Sequence, residues 1–206
     1  ENNPSNIKTI YKKSFSIVLY SNILLITFVI VLAPIISLIW IGHYESIFVY
    51  VLILSSMSIF FNICASPAYI SYVGEGKLNW ILSSILIGFL TNILLGYLLG
   101  LNFGGYGVII SFNISLVLHA ILLLRAFHKT QKIKILALIS HYDLKLIVSS
   151  IIFMIFSNYM FHAIFNYNST SMQILLYILC LLLFVFYVVK NPTFQILRTI
   201  ILKLIS

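Results

Sequence analysis

Charge is scarce in this chain, and negative charge scarcer still. Of 206 residues only 8% are charged, with 12 Lys or Arg against 4 Asp or Glu. Soluble domains carry about 25% charged residues. A chain that is 62% hydrophobic, with a mean hydropathy of +1.12, cannot hide its apolar surface inside a water-soluble core. The acids are Glu1, Glu45, Glu75 and Asp143, and none lies deep in an apolar run. A proton- or cation-coupled carrier usually keeps a carboxylate in its path, and these residues supply none. Cysteine is equally sparse. Cys64 and Cys180 both fall within apolar runs, which excludes a disulfide framework and reads as two inert thiols. There is no His/Cys/Asp cluster of metal spacing, no phosphate-cradling glycine loop and no set of nucleophile, base and orienting group. No catalytic residue, metal or cofactor is expected, and the chain does not read as an enzyme.

What the sequence has is long apolar runs and a pattern in its cations. A bilayer core of ~30 Å takes ~20 helical residues. Six segments qualify: Ile17–Ile41, Ile47–Tyr69, Trp80–Leu101, Val108–Leu124, Leu146–Phe165 and Met172–Val189. None alternates polar and apolar residues as barrel strands do. The expected fold is therefore all-α integral membrane, with about six transmembrane helices. Lys8, Lys12 and Lys13 precede the first run, and Lys77 holds the second gap. Arg125, Lys129, Lys132, Lys134 and Lys145 hold the fourth, and Lys190, Arg198 and Lys203 follow the last. The odd gaps have none. By the positive-inside pattern the even gaps and both termini face the cytoplasm. A net charge of +8 spread over membrane-flanking loops points to anionic membrane lipids rather than nucleic acid, whose partners gather charge on one folded face.

Residues 1–16 read as a cytoplasmic linker or surface helix, with Ile7, Tyr11 and Phe15 beside the lysines. Residues 17–189 form the six-span domain. Residues 190–206 form an amphipathic tail opened by Asn191-Pro192, with Phe194, Leu197, Ile201 and Leu204 on one stripe. Ser140 and Asp143 have the spacing of a helix cap before the fifth span. The chain starts at Glu1 without Met, so it reads either as processed or as part of a longer polypeptide, with its polar start resembling a linker.

Uncharged polar residues recur inside the spans. Ser84, Gly88, Asn92, Gly96 and Gly100 fall four apart, a stripe that lets a second helix approach closely. Ser58, Asn62 and Ser66 repeat the idea, as do Ser111, Ser115 and His119, with Asn113 on another face. Spacing leaves two readings open: helix packing, or a hydrophilic cavity for a polar substrate. His119 is the ionisable group within a span, and His162 lies near a helix end. The candidate substrate-binding residues are Asn92, Asn113 and His119, with Lys77 and Arg125 at the inner mouth. Topology signalling alone would also explain the two cations. Pro34 removes a backbone bond within the first span and kinks it.

Several features in order resemble the bacterial polysaccharide exporters of the O-antigen flippase type, within the multidrug/oligosaccharidyl-lipid/polysaccharide exporter superfamily. Lys12-Lys13-Ser14 opens a span, and Ala33-Pro34-Ile35-Ile36 leads to Gly42-x-Tyr44. Gly76-Lys77 closes the second span, Asn92 lies mid-span, and Phe103-Gly104 with Gly107 opens the next helix. The match covers about Ser5 to Leu124. The resemblance implies a two-lobed helical fold around a central cavity, of which this chain is part of the second lobe. It implies a bacterial inner-membrane protein translocating an undecaprenyl-pyrophosphate-linked repeat unit for O-antigen or capsule synthesis. The implied partners are that lipid-linked oligosaccharide, the amino-terminal lobe of the same protein and the polysaccharide polymerase machinery. A single lobe is not expected to transport alone.

Two rivals stand beside it. A polytopic membrane enzyme such as an O-antigen polymerase needs a reactive constellation, often on a large outer loop, and the outer gaps here are short and carry no charge but Glu45. A non-transporting membrane subunit needs only the small-residue stripes and a partner that carries the activity.

Overall fold

A computed structural model describes residues 4–134, 138–139, 141–165 and 170–190. It places them in helices α1 (Pro4–Ile41), α2 (Ser46–Gly74), α3 (Leu78–Phe103), α4 (Gly105–Gln131), α5 (His141–Phe165) and α6 (Thr170–Lys190). Each expected span falls inside one helix. Five of the described helices, α1 to α5, are long and apolar enough to cross a membrane. The protein is an all-α, multi-pass membrane protein. Helices are the form such segments must take, because hydrocarbon offers no partner to an unbonded backbone group.

The helix ends are set by chain chemistry. Gly42, Gly76 and Gly104 have positive φ of 85°, 69° and 58° and end the helices before them. Lys132 caps α4 in the left-handed region, and its neighbour Ile133 donates to the His128 carbonyl at 3.0 Å. Residues 7–15, expected as a surface element, are turns of α1 itself. Tyr11 and Phe15 are buried, whereas Lys12 and Lys13 are exposed. With 38 residues, α1 is about 57 Å long, far more than the hydrocarbon needs. At least one of its ends therefore extends past a hydrocarbon layer of ~30 Å. Proline lies inside two helices, Pro34 in α1 and Pro67 in α2.

The described residues group into two units. The first comprises Glu1–Asn22 and Ile53–Leu138. Within it α3 and α4 form the most extensive helix pair. Four-residue steps explain the closeness. A Cβ on Gly88 would lie 3.2 Å from the His119 Cβ, and one on Gly96 would lie 3.1 Å from the Ser111 hydroxyl. At the hairpin a Cβ on Gly107 would overlap the Leu99 carbonyl. The remaining core of this unit joins Tyr11 and Leu19 of α1, Ala68 and Tyr72 of α2, and Leu123 and Phe127 of α4.

The second unit comprises Ile23–Leu52 and Ile139–Ser206. Its core gathers Val31 and Phe161 with Ile35, Leu38, Phe153 and Leu181 packed on them. Phe153 stacks on Phe184 with centroids 4.5 Å apart, and Phe28 meets the same ring edge-on. Ser37, fully buried, accepts the Glu45 N–H at 2.8 Å and donates to the His43 carbonyl at 3.1 Å. That hydroxyl closes the short α1–α2 connection. The tail 191–206, the turn 166–169, Ser140 of the capping pair and the side chain of His162 lie outside the described residues.

Candidate functional site

The first unit contains a half-open cavity of about 220 Å³ between α2 and α4. Its lining comprises Asn62, Ile63, Ala65, Ser66 and Tyr69 of α2, with His119 and Leu123 of α4. The polar members of α2 stand at steps of four and three residues, so one helix face presents them all. Asn62 and His119 both lie near the middles of their helices, and Tyr69 and Leu123 lead toward the end that carries Lys77. The walls thus offer an amide, an aliphatic hydroxyl, a phenol and an imidazole, with no charged side chain among them. His119 Nδ1 is buried without a hydrogen-bond partner.

One turn beyond Tyr69 and Leu123, along α2 and α4, lies a cluster of buried rings. Phe127 lies 4.5 Å from the Tyr11 ring and 5.2 Å from the Tyr72 ring, centroid to centroid. All three are essentially inaccessible to solvent. Their polar ends are tied. The Tyr11 hydroxyl is 2.7 Å from His128 Nε2, and the Tyr72 hydroxyl is 3.0 Å from the Thr130 hydroxyl. This cluster joins the start of α1 to the ends of α2 and α4, with Tyr11 and His128 117 residues apart in sequence.

The sequence-derived candidates separate. His119 lines the cavity; the other four do not. Asn92 faces α4, with its Oδ1 3.0 Å from the Ser111 hydroxyl, so it is part of the α3–α4 seam. Asn113 is buried and donates to the Ile109 carbonyl at 2.8 Å and toward the Ser55 hydroxyl at 3.5 Å, while its Oδ1 is unpartnered. Lys77 is held by Glu75 at 2.6 Å, and this bond raises its pKa above the ordinary lysine value. Glu75 also receives the Gln131 amide at 2.8 Å. Lys77 is therefore a neutralised cation rather than a free one. Arg125 is exposed on α4. Sequence reasoning noticed Asn62 and Ser66 as a stripe without placing them in a site. Nothing in the local sequence marks Tyr69 or the Tyr11–His128 contact. The stripe was visible as helical spacing, but a contact between the start of α1 and the end of α4 leaves no local signal.

Among the described residues no group of His, Cys, Asp or Glu is arranged to hold a metal ion. Comparison with protein-family models, with curated proteins and with solved structures finds no match.

Proposed function

We propose that the chain is the later part of a bacterial inner-membrane flippase that carries a lipid-linked oligosaccharide. The observation that carries this reading is the uncharged cavity near mid-helix, whose largely apolar wall of Ile63, Ala65 and Leu123 also carries the polar groups of Asn62, Ser66, Tyr69 and His119. The ordered resemblance to polysaccharide exporters supplies the substrate class. Moving a sugar head through hydrocarbon strips its hydroxyls of water, at several kcal/mol for each unbonded group. Amide, hydroxyl and imidazole groups replace those bonds without adding the cost of a buried charge, while the lipid tail stays in the bilayer. Both termini of the segment face the cytoplasm in this reading, so the ring cluster lies toward the cytoplasmic side of the cavity.

The test is reconstitution of the chain with an amino-terminal lobe in liposomes, followed by the outward movement of an undecaprenyl-pyrophosphate-linked sugar. Transport should fall at least tenfold in His119→Leu and Asn62→Leu while both variants still fold. Full transport in both variants would remove the cavity from the pathway. No transport by any combination of lobes, with correctly folded protein, would end the flippase reading and favour a non-transporting subunit.

A further inference from the structure

The Tyr11–His128 contact brings two basic pairs together. Lys8 and Lys12 stand three residues before and one after Tyr11; Arg125 and Lys129 stand three before and one after His128. At 100° per residue these offsets are about +60° and +100° around each helix from the contacting residue. The lysine-bearing turns of α1 and the last turns of α4 meet with the helices antiparallel. Viewed from one end, antiparallel helices turn in opposite senses, so equal offsets swing both pairs to the same side of the contact. Phe127, about 100° the other way, faces Tyr72 of α2, which puts α2 on the opposite side. Lys12, Arg125 and Lys129 are exposed and Lys8 is half-buried. None of the four is in an ion pair among the described residues, where the recorded pairs are His43–Glu45 and Lys77–Glu75. Glu75, which bonds the last residue of α4, is already taken by Lys77 and Gln131.

We propose that this four-cation face binds the phosphate headgroup of an anionic membrane phospholipid. The charge complementarity is one-sided: helix geometry turns four cations to one side of the contact, and among the described residues no carboxylate is paired with them. The position fits a headgroup rather than a soluble anion, because α1 and α4 both run past the length the hydrocarbon needs and carry these residues at their ends. The apolar side chains of the same helices are left to hold the acyl chains. Folding makes the site, since each pair alone is an ordinary solvated helix face. The proposal does not depend on what the protein transports.

The experiment is thermal unfolding of the detergent-purified chain, titrated with phosphatidylglycerol, with phosphatidylcholine and with inorganic phosphate. Phosphatidylglycerol should raise the unfolding temperature, and the other two should not. Each cation near a bilayer surface contributes about a fivefold gain in lipid affinity. Lys12→Gln and Arg125→Gln should therefore each weaken phosphatidylglycerol about fivefold, and together about 25-fold. Lys13→Gln removes the same charge from the far side of α1, about 200° from Tyr11, and should leave affinity unchanged. Tyr11→Phe removes no charge, yet it loosens the contact that aligns the pairs and should weaken the lipid too. Equal losses in Lys13→Gln and Lys12→Gln would overturn the site in favour of diffuse attraction. Equal stabilisation by phosphatidylcholine, or by free phosphate, would overturn the headgroup assignment. If the double variant does not fold, the two single variants decide the matter by the same criteria.

Discussion

Gln131 at the end of α4 donates its amide to the Glu75 carboxylate, 2.8 Å away in the turn between α2 and α3, while Lys77 holds the other oxygen at 2.6 Å. One carboxylate thus links two helix ends and neutralises the cation beside it.

This shared carboxylate predicts the reactivity of Lys77. Glu75 raises the Lys77 pKa first through its hydrogen bond and then through its charge. Any stability that follows is present below the ordinary lysine pKa and lost as pH rises through the raised value. With both partners in contact with solvent it is small. Glu75→Gln should leave the unfolding temperature nearly unchanged and make Lys77 react faster with an amine acylating reagent at a fixed pH near 9. Peptide mapping after a brief pulse measures the rate. An unchanged rate would show that Lys77 is not held by Glu75.

A second expectation concerns Tyr11 and His128. Tyr11→Phe keeps the ring against Phe127 but leaves His128 Nε2 without its partner in a buried position. The cost should be about 1–3 kcal/mol, the penalty for an unsatisfied buried group. Removing both polar groups in Tyr11→Phe/His128→Phe should cost less than the two single changes added together. Thermal or urea unfolding of the four proteins completes the cycle. Strict additivity would mean that the two residues do not interact.

The α3–α4 hairpin gives a third. Gly107→Ala places a methyl group against the Leu99 carbonyl, and backbone cannot move aside as a flexible side chain would. Destabilisation of about 1–3 kcal/mol or more should follow. Gly105, two residues earlier, has nothing within 4 Å of its added Cβ. Gly105→Ala should be neutral or stabilise by up to about 1 kcal/mol through the unfolded chain. Equal effects from the two changes would refute the close crossing at the hairpin.

Membrane residence and the six helical segments were legible in the residues alone, because bilayer thickness and the need to bond every backbone group act on local sequence. The stripe from Ser84 to Gly100 was legible as a close-packing face for the same reason: its spacing is a property of one helix, and its fit against Ser111 and His119 follows. Asn92 was legible as a polar position and not as a role. An amide at mid-span serves a seam or a cavity with equal chemistry, and which one depends on the helix that faces it.

Helix length, span positions and the alternation of cations came from the chain itself, since each depends on residues no more than a turn or two apart. Tertiary structure decided what those residues meet. It set His119 beside Asn62 and Ser66, left Asn92 in a seam, and paired Lys77 with Glu75. It also joined Tyr11 to His128 across 117 residues. The physical reason is that hydrogen bonds and charge pairing reach only a few ångströms, so partners far apart in sequence are chosen by how the helices pack.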